Sequence, residues 1–304
     1  MAHDQEAFSP WRRRLLGASL AGGLVASPLE ALAQSGAASG GRRLAVVLGG
    51  GSARGFAHIG VIKALEAGGI RPDLIVGCSA GSLIGAFWAA GFSGFQMEEL
   101  AMRVKDSEIV DLVNGPTQQR GMVTGKSLHA FVNQSLQNRP VESLKTSFAA
   151  VATQYPGGEL AVFNKGDTGF AVRASCSIPG VFIPASQDGQ EYLDGGLVSP
   201  LPVATARKLG ADLVVAVDVG GFDPASDDGH GLYNLLLRSF EIMGQALRKR
   251  EAADADILIR PELSRISSTD FSARKALIAI GQQAGARLLP VIREKLANPV
   301  RRRG

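Results

Sequence analysis

The 304-residue sequence predicts an α/β domain. Three observations carry this expectation. Two short apolar runs, RLAVVL at 43–48 and DLIVG at 73–77, each lead through a glycine-containing turn into a helical pattern, FAHIGVIKALEAGG at 56–69 and SLIGAFWAA at 82–90. Further branched apolar runs, FAAVAT (148–153), ELAVF (159–163), DLVVAVDV (212–219) and DILI (256–259), recur down the chain with helical stretches between them. Apolar residues make up 45% of the chain. About 260 residues remain once the N-terminal segment is set aside, enough for one large domain with its own core and no internal repeat.

From the N-terminus, residues 1–33 read as a twin-arginine type signal peptide. Trp11, Arg12, Arg13, Arg14, Leu15 and Leu16 form the paired-arginine pattern, a weakly apolar stretch runs to Ala26, and Ala31, Leu32 and Ala33 make a cleavage box. The apolar stretch is too short to span a bilayer. No Cys follows the box, which argues against a lipoprotein anchor, so the expectation is a periplasmic or secreted protein exported in the folded state. Residues 34–42 (QSGAASGGR) read as a flexible linker, 43–298 as the folded domain and 299–304 as a basic tail. The tail's three Arg suit peripheral contact with anionic headgroups, at about 1 kcal/mol per charge near a membrane. The net charge of +4 is mild, and no basic stripe with interleaved aromatics points to nucleic acid.

The first strand opens into Gly49, Gly50, Gly51, Ser52, Ala53, Arg54 and Gly55, then a helix. A glycine turn at a helix N-terminus cradles either a pyrophosphate or an oxyanion. A dinucleotide fingerprint starting at Gly49 requires glycine at position 54, which is Arg54. A short-chain-dehydrogenase reading (Gly51, Gly55, Ala57) also requires a Tyr with a Lys four positions on; Tyr155, Tyr192 and Tyr233 are followed there by Glu159, Gly196 and Leu237. A phosphate loop at Lys126 and Ser127 fails because Arg120 replaces its first glycine. No cofactor and no metal is expected.

The second strand leads into Gly77, Cys78, Ser79, Ala80 and Gly81, a G-x-S-x-G. Roughly 0.4 chance matches are expected in a chain this rich in Gly and Ser, so context has to decide. Here the serine falls between a strand and a small-residue helix. A nucleophile elbow needs small residues two positions either side of its serine, because the backbones close up while Oγ is pushed out. The helix start also aims free N–H groups and a positive dipole end at the reacting atom.

A serine nucleophile needs a base, and the chain holds four His. His3 precedes the export signal, while His58 and His129 sit in helical patterns. Only His230, in a polar loop, could follow an acid in the hydrolase order Ser, Asp/Glu, His. Asp194 is the better candidate: it follows a short strand-like stretch, GQEYL, and precedes Gly195 and Gly196, so its carboxylate can sit at the open end of a sheet with another backbone close by. Near its reference value it would be ionised through neutral pH.

Two regions complete the reading. Residues 91–125 mix Phe92, Phe95, Met97 and Met102 with glycines, and read as a packed helical insertion or a lid over an acyl pocket. The last helical pattern, near 272–297, puts Leu277, Ile280, Ala284, Leu288 and Ile292 on one face. Cys78 and Cys176 are expected as free, buried thiols.

Together these residues resemble the patatin-like phospholipases, in which a glycine-rich loop ending in x-[KR]-G, a G-x-S-x-G elbow and a D-G-[GA] follow in order. The matching residues are Gly50, Gly51, Arg54 and Gly55, with Gly49 ahead of them; Gly77, Ser79 and Gly81; and Asp194, Gly195 and Gly196. The motifs cover roughly residues 43–205, including ASCSIPGVFIP (174–184) and LVSPLPV (197–203). Ser199 stands where such proteins often carry Asn. The resemblance implies a three-layer α/β/α sandwich with a mainly parallel central sheet, a lipid or phospholipid ester as substrate, and a Ser79–Asp194 dyad. Gly50 and Gly51 are then the oxyanion donors, with Ala80 a third, and Arg54 braces the glycine loop or meets a phosphate. An acyltransferase on the same dyad, an oxidoreductase and a lipid-binding scaffold are the alternatives.

Overall fold

The computed structural model describes residues 42–105, 108–113, 120–221 and 231–298. The expected signal peptide, most of the expected linker, the basic tail and His230 lie outside the described residues. The first two strands form where the apolar runs place them: β1 (Leu44–Leu48) leads through a short 3-10 turn into α1 (Phe56–Ala67), and β2 (Leu74–Cys78) into α2 (Ala80–Ala90). Gly91, in the left-handed conformation, ends α2. Ser93 and Gln96 then form a capping box that starts α3 (Gly94–Arg103).

The chain continues through β3 (Gly121–Val123), α4 (Lys126–Ser135), β4 (Ser147–Tyr155), β5 (Leu160–Phe163) and α5 (Thr168–Ser175). Next come β6 (Gly180–Phe182), β7 (Ala185–Gln187) and β8 (Gln190–Asp194), then α6 (Val203–Lys208), β9 (Leu213–Val217), α7 (Leu232–Ala252), β10 (Ile257–Ile259) and α8 (Arg274–Ala297).

Eight strands make one sheet in the order β10-β9-β1-β2-β4-β8-β7, with β5 paired to β4; β3 and β6 form a separate parallel pair. The five strands from β10 to β4 are parallel, and β5, β7 and β8 join antiparallel. Every residue of β1, β2 and β9 is buried, as expected of parallel strands covered on both faces. Leu44, Val46 and Leu48 face a core shared with α1, α2 and α8, while Ala45 and Val47 face one shared with α6 and the end of α7. These are the three layers the sequence implied.

The buried face of α8 is turned slightly from the expected one. Leu277, Ala284 and Ile292 are buried as expected, but Ile278, Gly281 and Gly285 join them while Ile280 and Leu288 are only partly buried. Small residues let α8 lie closely along α1, and that moves the contact line.

Candidate active site

The elbow forms at the C-terminal end of β2. Ser79 has φ 51° and ψ −125°, a left-handed conformation that costs a non-glycine residue free energy and that the surrounding turn must enforce. Its flanking glycines are required by close approach: a Cβ on Gly77 would lie 2.4 Å from Ser82 Cα, and one on Gly81 would lie 2.1 Å from the Leu48 carbonyl oxygen. The turn thereby clamps β1, β2 and the start of α2 together. Ser79 Oγ donates to Asp194 Oδ2 at 2.6 Å, and the Ser79 N–H donates to Ser175 Oγ at 2.9 Å.

Asp194 arrives from the far side of the same strand edge. On β4, Cys78 lies opposite Val151 and Asp194 opposite Ala152, while β5 pairs with Ala150, Val151, Ala152 and Thr153. A residue in a sheet has two edges, so β2 and β8 must share the edge that β5 does not use. They meet end to end there, β2 parallel to β4 and β8 antiparallel.

Asp194 is held at several points. Its N–H donates to the Ser177 carbonyl at 2.9 Å, its carbonyl accepts from the Thr153 hydroxyl at 2.8 Å, and its Oδ1 accepts from the Gly196 N–H at 2.7 Å. Ser177 is itself held by the buried Arg173, whose Nη1 donates to the serine Oγ at 2.5 Å. Burial pushes the Asp194 carboxyl up to about 6, against the opposing pull of the Ser79 and Gly196 hydrogen bonds. The sequence expectation of an aspartate titrating near 4 is therefore corrected. The rise comes from desolvation at the end of β8.

The glycine loop also needs a correction. The Gly50 N–H donates to the Pro200 carbonyl at 3.0 Å, and that of Gly49 to Val217 at 3.0 Å, so Gly50 is not a free oxyanion donor in this structure. Among the described residues the N–H groups of Gly51, Ser52 and Ala80 have no partner, and all three residues line the cavity that contains Ser79 and Asp194. Gly51 and Ala80 thus keep their expected position, and Ser52 joins them.

Arg54 braces this loop, as one of its two expected roles required. It is 4% exposed, donates from Nε to the Ile266 carbonyl at 2.7 Å and from Nη1 to the Gly221 carbonyl, and lies 3.6 Å from Glu241. His58 is fully buried, with Nε2 2.8 Å from the Gly49 carbonyl, and burial pushes its pKa down to about 4. It is neutral, donates to the loop from beneath, and does not line the cavity. His129 pairs with Asp167 at 2.8 Å and does not line it either.

The cavity is about 510 Å³. Its apolar part is built by Leu83, Ile84 and Phe87 of α2, Met97 and Leu100 of α3, and Leu128 and Phe131 of α4. The 91–125 region supplies one wall through α3 and through Val104, Ile109 and Val110. Cys78 and Cys176 are free and buried as expected; burial pushes Cys176 up to about 12 and Cys78 up as well, so neither thiol competes as a nucleophile.

Several contributors were not legible. Ser175 and Ser177 flank Cys176 in a stretch noted only for its resemblance. Glu251 of α7 accepts from the Ser199 hydroxyl and, at 2.7 Å, from the Leu201 N–H. It ties down the segment that follows Gly195 and Gly196, and no local pattern marks it.

Residues 46–207 match the patatin-like phospholipase family, and the chain belongs to that family. It is 35% identical over 199 residues to mouse patatin-like phospholipase domain-containing protein 6, a match covering 63% of this chain and 14% of that protein. An uncharacterized NTE family protein of Mycobacterium tuberculosis is 36% identical over 190 residues, 61% of this chain and 52% of the relative. The lysophospholipase NTE1 of Coccidioides immitis is 27% identical over 303 residues, 86% of this chain and 18% of its own length. The chain thus spans about half or less of these relatives. The crystal structure of VipD from Legionella pneumophila shares the fold, with a TM-score of 0.50 and 15% identity over 84% of this chain and 67% of that one.

Proposed function

We propose that this protein is a lipid ester hydrolase working through an acyl-enzyme on a Ser79–Asp194 dyad. The observation that carries the reading is the 2.6 Å hydrogen bond from Ser79 Oγ, on its strained elbow, to a buried carboxylate at the wall of an apolar cavity. Ser79 Oγ bonds to the ester carbonyl carbon as its proton passes to Asp194 Oδ2, and the resulting oxyanion meets the N–H groups of Gly51, Ser52 and Ala80. Collapse breaks the bond to the alcohol, which takes the proton from Asp194. Water then attacks the acyl-enzyme, gives its proton to Asp194, and releases the acid as that proton returns to Ser79.

The apolar lining favours an acyl chain, since each buried CH₂ contributes about 0.8 kcal/mol. Relatives named phospholipase and lysophospholipase support a lipid substrate. Exposed Leu235, Leu236, Ile242 and Met243 on α7 suit peripheral contact with a lipid surface, and the twin-arginine pattern suits work outside the cytoplasm. A fluorophosphonate probe tests the reading: it should label Ser79, and Ser79→Ala should abolish both labelling and ester hydrolysis. Labelling of another serine in wild-type protein would refute it.

A further inference from the structure

The cavity has a polar end, where Arg54, Glu241 and Arg248 join the lining. Arg248, on α7, is 8% exposed. Its guanidinium lies over two glycines: a Cβ on Gly220 would fall 2.3 Å from Cζ, and one on Gly244 would fall 3.1 Å from Nη1. Any larger side chain at Gly220 would displace it. The group therefore occupies a place shaped for it.

Its charge is only partly answered. Asp218 Oδ1 lies 3.5 Å from Nε, too far for a good hydrogen bond, and Asp218 Oδ2 already accepts from Arg260 at 3.1 and 2.9 Å. Two guanidinium groups thus share that carboxylate, while Glu241 and Glu251 act on Arg248 through charge alone, with no hydrogen bond to it. Among the described residues neither Nη group of Arg248 has a hydrogen-bond partner, yet unlike Arg42 Nε and His58 Nδ1 these atoms are not sealed in by protein. They are open to the cavity. Arg54, by contrast, is tied to two carbonyls and Glu241. A buried cation with open N–H groups is costly until an anion meets it.

We propose that Arg248 is the anion-recognition residue of this site, its Nη groups receiving the non-bridging oxygens of a phosphodiester on the alcohol side of the ester while the acyl chain fills the apolar end. This rests on the hydrolase reading above. A planar guanidinium fork suits two phosphate oxygens at once, and the substrate so selected is a phospholipid or lysophospholipid in preference to a neutral glyceride.

The test compares 1-oleoyl-lysophosphatidylcholine with 1-oleoylglycerol on the full chain. Arg248→Gln should lower the ratio of kcat/KM for the first over the second by about 10- to 100-fold, mainly through KM, as expected for losing a charge-assisted hydrogen bond. Arg248→Lys should recover part of the ratio. Fluorophosphonate labelling of Ser79 reports that each variant is folded. An unchanged ratio in a labelled Arg248→Gln protein would overturn the proposal.

A binding arm in the Ser79→Ala background needs no catalysis, so it separates this proposal from the hydrolase reading. By calorimetry, adding Arg248→Gln should weaken lysophosphatidylcholine about 10-fold or more and oleoylglycerol far less. Equal weakening of both would make Arg248 structural and overturn the proposal. So would inorganic phosphate alone binding through Arg248 as tightly as the lysolipid.

Discussion

Asp194→Asn should inactivate the protein and stabilise it at the same time. Asp194 is pushed up to about 6 by burial, from an ordinary value of 3.8. The folded state therefore holds the proton more tightly than the unfolded chain does. The stability Asp194 contributes is fully present below about 3.8 and is lost as pH rises through about 6, so at pH 8 the ionised group burdens the fold by on the order of 3 kcal/mol. Asparagine has the same shape, keeps an acceptor for the Gly196 N–H and turns a donor toward Ser79 Oγ. It removes the buried charge without opening a cavity.

The variant should melt roughly 5–10 °C above wild type at pH 8, with the gain fading toward pH 4, while kcat/KM falls on the order of 10³ or more. Wild-type kcat/KM should show a single acid limb centred near 6, with about a tenth of the plateau left at pH 5. His58, pushed down to about 4, cannot supply that limb. Thermal melts at pH 4 and 8, with a pH–rate profile on a soluble ester, check the whole chain of reasoning. An Asp194→Asn protein no more stable than wild type at pH 8, or a limb centred near 4, would refute the desolvated-base account.

Two further outcomes follow from the histidine positions and the N-terminal pattern. His230→Ala and His58→Ala should each keep more than about a tenth of wild-type kcat/KM, measured on protein shown to be folded; His58→Ala should also lose about 1–3 kcal/mol in urea denaturation because the Gly49 carbonyl is left without its donor. A folded His230→Ala protein as inactive as Ser79→Ala would replace the dyad with a triad. Changing Arg12 and Arg13 to Lys should hold the precursor in the cytoplasm on fractionation, and unchanged export would rule out the twin-arginine route.

What could be read from the chain was what local pattern encodes. β1, β2, β4, β5, β9 and β10 fall on apolar runs, and the elbow sits between a strand and a helix because Gly77 and Gly81 permit it. Asp194 was visible as the residue after a strand-like stretch and before two glycines. The short β3, β6 and β7 were not anticipated, since GMV, GVF and ASQ, unlike the ILI of β10, are not unbroken branched apolar runs. Gly50 was misassigned because its amide is taken by Pro200, a residue about 150 positions away that no motif links to it. Glu251 and Arg248 were missed for the same reason: each acts across the sheet, and in sequence they look like ordinary charges near a helix end.

In the proposed dyad, the shared edge of β4 is what would let two residues suffice. In a Ser-His-Asp triad the third residue mainly orients the base. Here the sheet does that work, because β2 and β8 end against Val151 and Ala152, neighbouring positions on one strand. The Ser79–Asp194 separation is thus set by backbone pairing and not by loops. Asp194 is then fixed through its own N–H, its carbonyl and its Oδ1, to Ser177, Thr153 and Gly196, which leaves Oδ2 aimed at Ser79. A base oriented by three such bonds gains nothing from a further side chain behind it. Its remaining need, an affinity for the proton suited to neutral pH, is met by the burial that the same sheet imposes.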